Sequence, residues 1–221
     1  MDTTISKENY LKAIAEAKAE GEPVISATLV RWLKVTPAAV TMAIRRLRRD
    51  GLVNVVADGQ VELTPEGAHI AQRIRFRHHL VERMLADIFG MEWFKIHDEA
   101  ERLEHAVSAD FEAKLTEKLG SQGVCPHGND ITEDGFESRR SSGLITLAEL
   151  EPGRPATIRS VFERDRTLLE YFDQRGLRPG TSLRVIQRNP DATIELHVST
   201  RPEPVLLGTA VGPKIWVEQE E

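Results

Sequence analysis

Apolar positions recur at helical spacing close to the N-terminus, where Tyr10, Leu11, Ile14 and Ala17 predict a helix over about Ser6 to Ala19. A shorter helical pattern covers Ile25 to Leu33. Thr36-Pro37 is an N-cap followed by proline at the first helical position; it opens a third helix that runs to about Asp50 and is ended by Gly51. The stretch Leu52 to Leu63 then reads as two short strands joined at Asp58-Gly59, a two-residue hairpin signal. Three helices and a hairpin in this order predict a winged helix-turn-helix over residues 1–66.

Residues 67–120 predict two longer helices, Pro65 to Phe89 and His97 to Leu119, separated by a loop around Gly90. Their apolar positions (Leu80, Met84, Leu85, Ile88; Leu103, Val107, Phe111, Leu115) have no third helix in the same segment to cover them. They are expected to pack on each other and on a second copy, which makes a homodimer. Residues 121–143 are rich in glycine and read as a linker. From 144 to 221 the pattern turns to β, with strands at Ala156–Val161, Thr181–Gln187, Ala192–Val198, Pro204–Leu207 and Lys214–Val217 and one helix near Thr167–Arg175. That predicts a small barrel of about five strands, and an α+β chain overall.

Composition adjusts this picture in three ways. No apolar run approaches the roughly 18 residues that span a bilayer, and Met1-Asp2-Thr3-Thr4 carries neither a basic nor an apolar leader, so neither membrane nor signal peptide is expected. The single Cys125 excludes an intramolecular disulfide and fits a reducing cytoplasm. The net charge of −6 argues, taken alone, against a general polyanion binder. Residues 1–66 are nevertheless neutral, with nine Lys/Arg against nine Asp/Glu.

The third helix concentrates that basic charge. At 100° per residue, Val40, Ile44 and Leu47 form a buried side. The opposite side, its flanks and the N-terminal turn (Thr36, Pro37, Ala38, Ala39, Thr41, Met42, Arg45, Arg46 and Arg49) are the expected contacts to an operator duplex. The arginines neutralise phosphates, while Ala38 and Met42 offer apolar contact to thymine methyls but no bidentate hydrogen bond. Readout is therefore expected to lean on arginine and DNA shape.

Five of the seven histidines fall between residues 67 and 120. His78 and Glu82 are four apart on one predicted helix; His97, Glu101, Glu104 and His105 form a single stripe on the next. Imidazole with carboxylate suits borderline-to-hard divalent ions. His79 points about 100° away from His78 and reads as a bystander. Cys125-x-His127 lacks the remaining ligands of a zinc site and reads as a structural loop. Glu101-Arg-Leu-Glu104-His105 misses the metalloprotease patterns, and the three-residue Glu–His spacing of di-iron bundles is absent. A metal-dependent hydrolase fused to a nucleic-acid module is therefore the second reading, and no small organic substrate is expected.

The order of segments, together with His78-x-x-x-Glu82, the run His97 to His105, Cys125-Pro-His-Gly-Asn129 and Gly176-Leu-Arg-Pro-Gly180, resembles the diphtheria toxin repressor and manganese transport regulator family over essentially the whole chain. The resemblance implies a homodimeric, metal-activated DNA-binding regulator, mostly a repressor of metal-uptake genes, with a helical dimerisation domain and a C-terminal SH3-like (FeoA-like) barrel. It implies a primary site of Asn9, Glu101, Glu104 and His105, and an ancillary site of His78, Glu82, His97 and Glu163. Glu101 stands where the iron-responsive branch has Cys, which favours Mn²⁺ with Fe²⁺ next; Zn²⁺, Co²⁺ or Cd²⁺ would substitute in vitro. Asn9 replaces a Met or Asp, Lys12 stands where some manganese regulators place a second-ion Glu, and Ser160 replaces a barrel carboxylate, leaving Glu163 or Asp165 to supply it. Because ligand imidazoles must be neutral, activation is expected to weaken below about pH 6.5.

Overall fold

A computed structural model describes residues 4–131 and 135–220, so Met1 to Thr3, on which the leader reading rests, lie outside the described residues. The first lobe holds α1 (Ile5–Ala19), α2 (Ser26–Leu33), α3 (Pro37–Arg49), β1 (Val53–Val55) and β2 (Val61–Leu63). Thr36 Oγ1 accepts from the Ala39 amide at 3.2 Å, which satisfies one free donor at the start of α3. Leu11, Leu29 and Leu47 are wholly buried in the core of this lobe, each contributing about 1.5–3 kcal/mol. On α3 the buried face is Val40, Ala43 and Leu47; the predicted Ile44 is only half-buried at its margin.

The wing differs in detail from the two-residue hairpin. The Val56 amide pairs with the Gln60 carbonyl at 2.9 Å, leaving a three-residue loop, Ala57-Asp58-Gly59. Gly59 takes the positive φ (83°) that closes such a loop, and an Asp58 oxygen accepts from the Gln60 amide. The start of α4 (Pro65–Arg83) is locked onto this lobe. Thr64 caps the helix through the Gly67 amide and donates to the Gly51 carbonyl, and a Cβ on Gly67 would sit 2.0 Å from the Leu52 oxygen.

α4 runs on through a π turn, Met84–Ile88. The second predicted long helix is broken: α5 (Ile96–Leu103) passes through a 3₁₀ turn, Glu104–Ala106, and an extended Val107 before α6 (Ala109–Leu119) begins. Ser108 causes the restart, its hydroxyl accepting from the Phe111 amide with Asp110 in the first turn. Val81, Leu85, Ile96, Ala100 and Val107 form a small core, while Ile88, Phe89, Leu103 and Phe111 remain exposed on the same segment.

The described residues of the predicted linker make packed contacts. Cys125, His127, Asn129 and Ile131 are buried, and α7 (Phe136–Ser141) packs with α1 through the Arg139–Glu20 ion pair. Trp93 donates from its indole to the Pro126 carbonyl at 2.7 Å, and its ring lies 5.0 Å from that of His127. The last domain comprises β3 (Ile145–Thr146), β4 (Pro155–Val161), α8 (Arg166–Gln174), β5 (Ser182–Arg188), β6 (Thr193–Val198), β7 (Val205–Gly208) and β8 (Ile215–Gln219). Its antiparallel order is β3-β8-β4-β5-β6-β7, with irregularities at Ile158/Ser160 and Val185/Gln187 that bend the sheet round its apolar core. The predicted strands and helix all form, and β3 is added. No helix among the described residues is long and apolar enough to cross a membrane.

Candidate metal centre

Five pieces of chain converge between the lobes: α1, α4, the α5–3₁₀ segment, the turn 125–129, and the arm between β4 and α8 that carries Glu163 and Arg164. Gly128 (φ 86°) lets the turn approach the arm's strand, since a Cβ there would lie 1.9 Å from the Arg159 oxygen.

On the arm's side, ligand atoms of His78, Glu82, His97 and Glu163 lie within 4.8 Å of one another. His78 Nε2 is 3.1 Å from His97 Nδ1 and 3.2 Å from Glu82 Oε1. Glu163 Oε1 is 3.8 Å from His97 Nδ1. This is the predicted ancillary set, assembled. On the α1 side, His105 Nε2 is 2.6 Å from Asn9 Oδ1 and 3.4 Å from Glu104 Oε1. Glu101 is different: the turn after Leu103 sends His105 toward α1, whereas Glu101 faces Lys12 (2.8 Å), His97 Nε2 (3.5 Å) and Arg164 (3.4 Å). The single predicted stripe is therefore split by the helix break. His78 bridges the halves, its Nδ1 lying 2.6 Å from Glu104 Oε2.

Sequence reasoning missed four neighbours. His127 Nδ1 lies 3.3 Å from Glu82 Oε1 and 3.5 Å from Glu163 Oε2, and Cys125 Sγ is 3.4 Å from Glu163. The partners that C-x-H lacked locally come from α4 and the arm. His79 is buried, 3.7 Å from Glu163 Oε1, and groups with Glu82, Cys125 and Glu163. It is no bystander, because the arm covers the face it points to. Glu8 Oε2 lies 2.9 Å from His105 Nδ1. Only the acid-imidazole composition hinted at these; their pairing is tertiary. Asp165 caps α8 through the Leu168 amide, Ser160 is buried, and His197 lies on the exposed face of β6.

Burial and the Lys12 ammonium push His78 toward its neutral form, but the Glu82 and Glu104 carboxylates outweigh them and raise its pKa to about 10. His127 is likewise opposed by burial and raised to about 10 by Glu82 and Glu163. Glu82 is held well below the usual carboxylate range despite burial, by His78 and His127. Glu163 is also held low: burial and Glu82 oppose this, and His127 and His79 overcome them. Burial, with Glu82 and Glu163 alongside, pushes the Cys125 thiol well up. Glu82 Oε2 and Glu104 Oε1 are buried without a hydrogen bond, an arrangement costing about 1–3 kcal/mol per group. Oxygen and nitrogen donors with lone pairs left over fit a divalent cation. A cleft of about 400 Å³ beside them is lined by Asn9, Lys12, Trp32, His97, Glu101 and Arg164.

The nine residues predicted to meet DNA are all exposed, on α3 and the turn before it. Fold and site together define a metal-dependent, winged-helix DNA-binding regulator. Residues 2–61 match the iron dependent repressor N-terminal DNA binding domain, 64–133 the iron dependent repressor metal binding and dimerisation domain, and 145–219 the FeoA domain. The diphtheria toxin repressor of Corynebacterium diphtheriae is 37% identical over 203 residues, covering 88% of each chain. The iron-dependent repressor IdeR of Mycobacterium tuberculosis is 33% identical over 167 residues, covering 72% of this chain and 70% of that one. A manganese-dependent transcriptional repressor solved in complex with manganese superposes with a TM-score of 0.84 at 30% identity, over 97% of this chain and 100% of its own. ScaR with bound Cd²⁺ gives a TM-score of 0.81 at 27% identity, over 97% and 99%. The chain belongs to the family of diphtheria toxin repressor and its iron- and manganese-dependent relatives. It is a metal-dependent transcriptional regulator that binds DNA, and not an enzyme; the hydrolase reading has no support.

Proposed function

We propose that this chain is a homodimeric cytoplasmic repressor of metal-uptake genes, activated by Mn²⁺ with Fe²⁺ next in order. Asn9, Glu104 and His105, with Glu101 beside them, would hold the activating ion; His78, Glu82, His97 and Glu163 would hold the ancillary one. The carrying observation is that Asn9, on the DNA-binding lobe, and His105, on the dimerisation segment, present donor atoms 2.6 Å apart. A bound ion supplies a fixed tether between those two elements. Asn9 orients α1 and hence the recognition helix α3, whose exposed arginines meet phosphate. Metal and operator then raise each other's affinity by the same factor.

The donor chemistry supports Mn²⁺: the Asn9–Glu104–His105 group is oxygen and imidazole with no sulfur. Fe²⁺ stays close behind because the same oxygen and imidazole donors accept it. The test is a band shift on a duplex selected from a random pool in the presence of Mn²⁺, repeated with Fe²⁺, Zn²⁺, Co²⁺ and EDTA. Retarded complex should require an ion. Equal retardation with EDTA would overturn the reading.

A further inference from the structure

Lys12 has no task in the ligand sets just proposed, yet it is the most deeply placed charge on α1, at 2% exposure. Its ammonium lies 2.6 Å from Glu104 Oε2, 2.8 Å from Glu101 Oε1 and 3.0 Å from His78 Nδ1. Two of its N–H donors meet the Glu101 and Glu104 carboxylate oxygens, and the His78 ring, whose Nδ1 faces the same Glu104 oxygen, closes the third side. Ligand atoms of the same three residues lie within 4.8 Å of one another, close enough for one ion to bind all three. Lys12 Nζ therefore sits at the focus of a third metal-type cluster, between the Asn9–His105 group and the His97–Glu163 group.

We propose that Lys12 is a resident cation: its ammonium occupies the His78–Glu101–Glu104 position permanently and limits the centre to the two flanking ions. The inference rests on the metal reading above. A divalent ion needs carboxylate oxygens at about 2.0–2.2 Å, and any point that close to this trio falls against Nζ. A lysine cannot follow the exchangeable metal out of the site, because its stem is part of α1 and is buried along its length. Where a second ion would make this junction respond to metal twice, the lysine makes it constitutive. It pins α1 to α4 and α5 whether or not metal is present.

The test uses the full-length chain dialysed against excess Mn²⁺, with bound ion counted by elemental mass spectrometry. Lys12→Ala and Lys12→Glu should each hold about one more ion per protomer than the wild type, and Mn²⁺ should raise their melting temperatures more than the wild type's. Folded variants with the wild-type count overturn the proposal. A wild-type chain that holds no ion sinks the metal reading instead, so the two failures are distinct. Should neither variant fold, the wild type itself decides. Its Lys12 ammonium resonance, observed by ¹⁵N NMR, should persist when the protein is saturated with the diamagnetic ion Zn²⁺. Loss of that slowly exchanging signal on Zn²⁺ addition means that the ion displaces the lysine, which overturns the proposal.

Discussion

Asn9 and His105 are 96 positions apart in sequence and meet at 2.6 Å, Oδ1 to Nε2, across the boundary between the DNA-binding lobe and the dimerisation segment. Each residue is only part-buried, and neither belongs to an apolar core. Disturbing the pair should therefore alter coupling before it alters folding.

His105→Ala is expected to abolish metal-stimulated operator binding while the dimer stays folded, read by fluorescence anisotropy and by sedimentation. Glu104→Ala is a harsher change. It leaves the buried Lys12 ammonium short of a partner at 2.6 Å, a loss of about 3–5 kcal/mol when a buried ion pair is broken. Its melting temperature should fall by several degrees even with EDTA. Wild-type metal response in the His105 variant would remove that residue from the activating site.

Asn9→Asp replaces a neutral carbonyl oxygen with a carboxylate at the same atom position. The midpoint of Mn²⁺ activation should fall by about tenfold, the 1.4 kcal/mol of one improved charge-assisted contact. An unchanged midpoint in a Mn²⁺ titration would argue that Asn9 does not ligate.

The imidazoles move the expected pH response. His78 and His127 are held protonated up to about 10 by Glu82 and its neighbours. An ion that takes a nitrogen of His78 must expel its proton, so affinity should fall about tenfold for each pH unit of acidification, throughout pH 6–8 and not only below pH 6.5. Calorimetry in buffers of different ionisation enthalpy should report net proton release. For the metal-free protein the sign reverses. A raised histidine pKa contributes stability that is fully present below about 6.5 and lost as pH rises toward 10. Melting temperatures in EDTA should therefore decline between pH 8 and pH 10.

Gly128→Ala places a Cβ 1.9 Å from the Arg159 oxygen at a φ of 86°. Stability should drop by more than the roughly 1 kcal/mol expected for Gly143→Ala, which has a similar φ but nothing within 4 Å. Denaturant melts of the two variants give the comparison. A Gly128 variant as stable as the Gly143 one would mean that the turn is free to move off β4.

On α3, Arg46→Ala should weaken binding to all duplexes about equally and lower the slope of log affinity against log salt by about one. A change confined to one operator position would instead assign Arg46 to a base.

Much of this was legible in one dimension. Thr36-Pro37, Thr64-Pro65 and the alternating strands of the last domain declare themselves because caps and periodicity are local. The stripe from His97 to His105 was visible as composition, but its break was not anticipated, although Ser108 carried the restart signal. Cys125, His127 and His79 show no role in one dimension because their partners, Glu82 and Glu163, lie on other elements. Lys12 is the sharpest case. Helical spacing sets it opposite Tyr10, Ile14 and Ala17, where a lysine reads as solvated, and only the fold reveals which acceptors surround its ammonium.

Trp93 has a consequence of a different kind. Its ring rests 5.0 Å from the His127 imidazole, and its indole N–H is fixed to the Pro126 carbonyl on the same turn. A protonated imidazole at that distance quenches indole emission and a neutral one does so far less. Of the three tryptophans, Trp93 is thus the one whose emission gauges the proton state of His127, without a label and before any DNA is added.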